Sequence, residues 1–172
     1  MAKTARDARR HIREWSNFFA GVQKITESEI NSFLENHKRK VLLKQSLKRL
    51  KARGFLLDKG DHLIPTKKGL IFFRKQNLLV RYKNSSQKWD GKWRLISFDV
   101  PVNEDIKRSR LRGLLKEFDF YQLHKSVWVS PYKLAEEFWK LLFDQELDKY
   151  CKMMTVEIIE GGEEMKNYFH LD

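Results

Sequence analysis

The chain has 172 residues, 41% of them hydrophobic and 13% aromatic, with 35 Lys and Arg against 23 Asp and Glu. That length suits one ordinary domain or two small ones; no apolar run reaches the roughly eighteen residues that would span a membrane, and the N-terminus lacks the apolar core of a secretory signal. The net charge of +12 is unevenly placed: residues 1–84 hold 21 Lys and Arg against 7 Asp and Glu, a balance of +14, and residues 85–172 hold 14 against 16, a balance of −2.

The basic start, MAKTARDARRHIR, runs directly into an amphipathic pattern, so it reads as a structural helix over residues 4–20 and not as a transit peptide. Ile12, Trp15, Phe18 and Phe19 line one side of that helix. In TESEINSFLENH, Thr26 and Glu29 are spaced as a capping box, which starts a second helix with Ile30, Phe33 and Leu34 as its apolar stripe. A third helix is expected from about Lys40 to Arg53, closed by Gly54, with Leu43, Leu47 and Leu50 recurring on one buried face. Two short strands follow around Lys59-Gly60-Asp61, and LIFFRKQNLL supplies a helical or mixed segment. Helix, helix, helix and a tight hairpin make the outline of a winged helix-turn-helix over residues 1–84.

With three leucines turned inward, the third helix must show Lys40, Lys44, Gln45, Lys48 and Lys51 to solvent. Lysines suit phosphates, and glutamine pairs bidentately with adenine. Lys59 at the hairpin tip and Lys67 and Lys68 after it are placed to touch the flanking backbone. Any one lysine is better read as solvated helix surface; their coincidence with the third helix and with a half of net charge +14 is what points to a polyanion. An anionic membrane would satisfy the same charge, but the helices lack exposed Trp or Phe on their polar faces. The expected partner is double-stranded DNA, with no membrane.

The polar, turn-rich stretch around residues 85–91 reads as a linker. Beyond it, Lys92 to Val100 alternates as a strand ended by Pro101, with Asp99 at its end. NEDIKRSRLRGLLKEFDF is helical, with Leu111, Leu114, Leu115 and Phe118 on one side and Asn103 as N-cap; Arg108, Arg110 and Arg112 on it are possible additional nucleic-acid contacts. YQLHKSVWVSP is β-rich, Ser130-Pro131 marks a helix start, Leu134, Phe138, Leu141 and Leu142 give that helix its core stripe, and KMMTVEIIEGG closes as a strand. The order β-α-β-β-α-β over residues 92–172 is that of a ferredoxin-like sandwich. Such a sheet leaves one face open, which with its edge strands invites dimerisation. The whole is therefore expected to be α+β: an N-terminal winged helix-turn-helix followed by a ferredoxin-like (βαββαβ) domain.

Asp99 has two readings, a strand-end carboxylate bonding nearby backbone amides, or half of a metal site completed by the Asp99 of a second copy. The five histidines are scattered, with no i, i+4 pair, which argues against zinc. Gly161-Gly162 lacks the surroundings of a phosphate loop. No cofactor is expected, and the lone Cys151 fits a reducing cytoplasm.

WDGKWRLISFDVP, the basic helix after it, and SVWVSP together resemble the central domain of the PaaX-type repressors of phenylacetate degradation. That family places a winged helix upstream, and LKQSLKRLKARGFL is similar to its recognition helix. The central domain is in turn related to the small CRISPR adaptation endonuclease (Cas-two), whose strand ending in Asp-Ile or Asp-Val, arginine-bearing helix and Ser-Val-Phe correspond to Asp99-Val100, Arg108 to Arg112, and Ser126-Val127-Trp128. The resemblance covers roughly residues 30–160. It implies a homodimeric, sequence-specific transcriptional regulator, a repressor, with the second domain setting the dimer. PaaX-type repressors continue into a further C-terminal domain while this sequence stops at Asp172, so no effector ligand is assigned. The alternative it implies is a Cas-two-like metal-dependent endonuclease, with Mg2+ or Mn2+ at Asp99 of two copies, or a structural partner of a CRISPR integrase subunit.

Overall fold

The computed structural model describes residues 2–19, 22, 24–38, 40–84 and 88–171, with side chains from Arg10 onward. The fold is α+β with two antiparallel sheets, and the chain divides into the units Met1–Arg81 and Tyr82–Asp172. Of the expected linker, residues 85–87 lie outside the described residues; so does Ala20, the expected end of the first helix.

The first unit runs α1 (Ala2–Phe18), β1 (Ile25–Thr26), α2 (Glu27–Glu35), α3 (Lys40–Ala52), β2 (Leu56–Lys59), β3 (His62–Pro65) and α4 (Lys67–Asn84), the last three residues of which fall in the second unit. Thr26 begins α2 through a reciprocal capping box: its hydroxyl accepts from the Glu29 amide at 3.2 Å, and Glu29 accepts from the Thr26 amide at 2.8 Å. The Thr26 amide and hydroxyl both donate to the Glu29 carboxylate, and those two bonds hold it below its ordinary range. Leu43, Leu47 and Leu50 of α3 are buried as their spacing requires, among Trp15, Phe19, Ile30, Leu34, Phe55, Leu63 and Phe73. Burying each such leucine stabilises the fold by roughly 1.5–3 kcal/mol. The buried Trp15 indole donates to Ser46 Oγ at 2.8 Å and to the Leu43 carbonyl at 3.2 Å, which fixes α3 against α1 in rotation as well as position. Gly54 ends α3 at φ +70, a conformation that disfavours any side chain.

Two-residue β1 extends the hairpin sheet to the order β1-β3-β2, with Ile25 opposite Leu63. The segment expected to be helical or mixed is a single helix. Thr66 launches α4, its hydroxyl accepting from the Gly69 amide at 3.0 Å and donating to the Gly54 carbonyl at 2.8 Å.

The second unit contains β4 (Trp93–Phe98), α5 (Asp105–Glu117), β5 (Tyr121–His124), β6 (Val127–Ser130), α6 (Glu136–Asp144), β7 (Cys151–Val156) and α7 (Glu163–Phe169). Its sheet order is β5-β6-β4-β7, antiparallel throughout. Two helix starts differ from expectation. Asn103 lies in a 3-10 turn, Val102–Glu104, and α5 begins at Asp105 without a side-chain cap. Ser130-Pro131 makes a turn, with the Tyr132 amide donating to Ser130 Oγ at 3.3 Å, and α6 starts five residues later. The bond that a serine N-cap offers a helix is used here to turn the chain away from the sheet.

The sheet face expected to be open is covered in part by α7. Met165 and Phe169 pack with Trp93 and Val129, and Trp89, Leu95, Tyr121 and Val156 join the same cluster. Tyr121 donates to Glu164 and Tyr168 to Asp119, tying α7 down at both ends. Residues of the opposite parity, Ile96, Phe98 and Trp128, are also buried, as are Leu111, Leu115, Phe138 and Leu141 of the helices.

Arg94 is only 7% exposed: alternation puts it on the same buried side of β4 as Ile96 and Phe98, where a charge must be paired. Asp90 grips its guanidinium with both carboxylate oxygens, at 2.5 and 2.6 Å, and the Lys92 and Pro131 carbonyls accept from it too. Hydrogen bonds from Arg94 hold the Asp90 carboxyl far below the usual carboxylate range, against the opposing effect of burial. A folded-state value below the unfolded one contributes stability above the unfolded value, about pH 4, and loses it progressively as pH falls further. Urea midpoints are therefore expected to drop below about pH 4, and Asp90→Asn is expected to flatten that dependence. An unaltered acid profile in Asp90→Asn would contradict the assignment.

Cys151, at the start of β7, is buried, and burial together with the Asp148 charge pushes its thiol up to about 12. The native protein is expected to resist a chromogenic disulfide reagent at about pH 8 and to react fully once unfolded. Rapid native labelling would show that β7 opens readily.

Candidate nucleic-acid interface

The inward leucines determine what α3 presents outward. Lys44, Gln45 and Lys48 are exposed and make no side-chain hydrogen bond or ion pair among the described residues. Lys40, also exposed, faces Glu35 at 4.0 Å. Lys51 is engaged: its ammonium lies 2.6 Å from Asp58 of β2, an exposed pair worth roughly 0–1 kcal/mol. Arg49 is a cation that the leucine spacing leaves outward and that sequence reasoning passed over. It is exposed, four residues beyond Gln45, and unpartnered among the described residues. Its i, i+4 relation to Gln45 was the available signal. The exposed pole of α3 is thus Val41, Gln45, Lys48 and Ala52, flanked by Lys40 and Lys44 on one side and Arg49 on the other.

The hairpin is less basic than expected. Lys59 stands at its tip between Asp58 and Asp61, so one cation sits among two carboxylates. Lys67 and Lys68 open α4. Both are exposed, and Lys68 also donates to the Arg53 carbonyl at 2.9 Å and lies over the Phe55 ring. It closes the C-terminal end of α3 while remaining exposed.

In the second unit the three arginines of α5 part company. Arg108 pairs with Asp105 and donates to the Val100 carbonyl, tying α5 to the end of β4. Arg112 donates to the Lys125 carbonyl at 3.1 Å. Arg110 is exposed and, among the described residues, has no partner.

Asp99 is exposed at the end of β4. Its amide donates to the Tyr150 carbonyl at 3.0 Å, but its carboxylate accepts no hydrogen bond among the described residues, so the expected role in bonding turn amides is not found. The neighbouring acids are occupied. Glu104 meets Lys107 at 2.6 Å and accepts from the Tyr150 hydroxyl, bonds that lower its pKa, and Asp105 pairs with Arg108. A divalent ion needs several oxygen ligands held together. No group of three or more His, Cys, Asp or Glu side chains placed to hold an ion occurs among the described residues. Within one chain these residues do not fit a metal site.

Among the described residues no helix is long and apolar enough to cross a membrane. A comparison with curated proteins finds no match to the chain. A family model described as the PaaX protein central Cas2-like domain matches residues 86–168. This agrees with the resemblance carried by the tryptophan-flanked strand and by Ser126-Val127-Trp128. Residues 86–168, within the second unit, are thus similar to the PaaX central Cas2-like domain.

Proposed function

We propose that the chain is a homodimeric, sequence-specific DNA-binding regulator of transcription, a repressor, with a winged helix-turn-helix in its first unit and a ferredoxin-like dimerisation domain in its second. The observation that carries the reading is α3: its apolar side is fully buried, and its outer side offers Lys44, Gln45, Lys48 and Arg49 unpaired among the described residues. The element order α1-β1-α2-α3-β2-β3, with β1 joined to β3, supports the winged-helix assignment. In that arrangement α3 is the recognition helix for the major groove. Asp58 and Asp61 leave Lys59 a single flanking phosphate contact, with Lys67 a second; Arg110 is an additional contact of the second unit by itself. Lys51 and Lys68 act within the fold.

For the second unit, the sheet order β5-β6-β4-β7 with α5 and α6 as the crossovers supports the ferredoxin-like reading. The two sheet edges differ. β5 has four residues and a register shift between Gln122 and His124, whereas β7 pairs without interruption over six and exposes Met153 and Met154. An unbroken apolar edge is a template for strand addition, so a second copy is assigned to β7. Two-fold symmetry then calls for an inverted-repeat site. The chain works in the cytoplasm, without a cofactor or membrane partner.

The test is duplex binding by fluorescence anisotropy at fixed salt. Lys44→Ala and Gln45→Ala are expected to weaken binding severalfold with the fold intact, and Asp99→Ala to leave it unchanged. Wild-type affinity in both of the first two removes α3 from the interface. The nuclease alternative has one observation in its favour, the Asp99 carboxylate, unpartnered among the described residues. DNA or RNA cleavage with Mg2+ or Mn2+ that disappears in Asp99→Ala would establish it.

A further inference from the structure

We infer that α3 is built to read an A·T-containing core, with Gln45 on adenine and Val41 on a thymine methyl group. The inference rests on the DNA-binding reading of the same helix. Leu43, Leu47 and Leu50 fix the rotation of α3, and the Trp15 hydrogen bonds to Ser46 and Leu43 lock it. The line farthest from the core then runs Val41, Gln45, Lys48, Ala52, at spacings of four, three and four residues.

This line is not the most cationic part of the helix. Lys40 and Lys44 lie along one flank and Arg49 on the other, where they reach phosphates on either side of a groove. The central line instead begins with an apolar, β-branched residue that is 68% exposed. A single exposed valine is ordinary on a protein surface; its place, one turn before a glutamine unpartnered among the described residues, with Lys44 on one flank and Arg49 on the other, gives it meaning. In the major groove the apolar mark is the thymine C5 methyl, and glutamine donates to adenine N7 and accepts from N6. Four residues advance a helix by about 6 Å, less than two base-pair steps of about 3.4 Å. Val41 and Gln45 therefore reach bases within two base pairs of each other.

The test uses the full chain and a duplex recovered by selection from random sequences. Deoxyuridine in place of thymidine removes only the C5 methyl. At one position it is expected to lower wild-type affinity about fourfold, as loss of one buried methyl would, and to have no effect on Val41→Ala. At an adenine within two base pairs, 7-deazaadenine removes the N7 acceptor and is expected to cost wild type about tenfold while leaving Gln45→Ala unaffected. Tight binding to the selected duplex with no uracil or deaza effect suppressed by these substitutions overturns the inference and leaves the regulator reading standing. Failure to recover any preferred duplex overturns both.

Discussion

Gly69→Ala is expected to unfold the first unit or come close to it. Gly69 sits in the first turn of α4, where a Cβ would lie 1.9 Å from the Phe55 carbonyl oxygen and 2.9 Å from its carbonyl carbon. The obstruction is backbone, so no rotamer change relieves it. That same oxygen accepts from the Thr66 amide at 3.0 Å, and Thr66 bonds both Gly54 and Gly69. Moving α4 away would break the junction of α3, β2 and α4 together and part the stacked rings of Phe55 and Phe72, 4.4 Å between centroids. Forced overpacking of this kind belongs to the upper end of single-substitution effects, about 3 kcal/mol or more, or roughly 10–25 °C in Tm for a unit of this size. Gly113→Ala is the matched control. It lies inside α5 with nothing within 4 Å of the added Cβ, and should be neutral or stabilising by about 0.5–1 kcal/mol. Calorimetry of both variants decides the matter; an unchanged Gly69→Ala transition would refute the close contact.

Removing two charges from α3 is expected to have the largest effect on binding. Each lysine that neutralises a phosphate releases counterions, so log affinity falls with log salt at a slope of about −0.9 per contact. Lys44→Ala combined with Lys48→Ala is expected to reduce the magnitude of that slope by about two and to weaken specific and non-specific duplexes alike. Lys51→Ala should leave the slope nearly unchanged, because Asp58 already holds that ammonium 2.6 Å away. Titrations across a salt series check both, and equal slopes for wild type and the double variant would place the lysines off the DNA.

The contrast between Lys44 and Lys51 shows where the sequence was legible. Periodicity reports which side of a helix faces out, and Leu43, Leu47 and Leu50 reported it correctly, as Thr26 and Glu29 did the start of α2. Periodicity says nothing of what another element brings to an outward side chain. Asp58 of β2 reaches Lys51, and the end of α3 offers Lys68 a carbonyl, through contacts distant in the chain. Arg94 is a similar case: its charge in an alternating strand gave no sign that Asp90, four residues earlier, would accompany it into the interior. The short β1 and α7 carry too few residues for a periodic signal; each exists because a neighbour receives it, β3 for Ile25 and the Trp93 face for Met165 and Phe169. The PaaX resemblance was legible because its signal lies in residue identity, the Trp-flanked strand ending in Asp99-Val100 and the Ser-Val-Trp hairpin.

The central claim is a two-fold, sequence-reading protein, and selection of bound duplexes from a random pool by the full chain, followed by sequencing, tests it most directly. An inverted repeat whose half-sites contain A·T pairs is expected, with enrichment lost in Gln45→Ala. Recovery of duplexes with no shared sequence, or of a single half-site without symmetry, would contradict it.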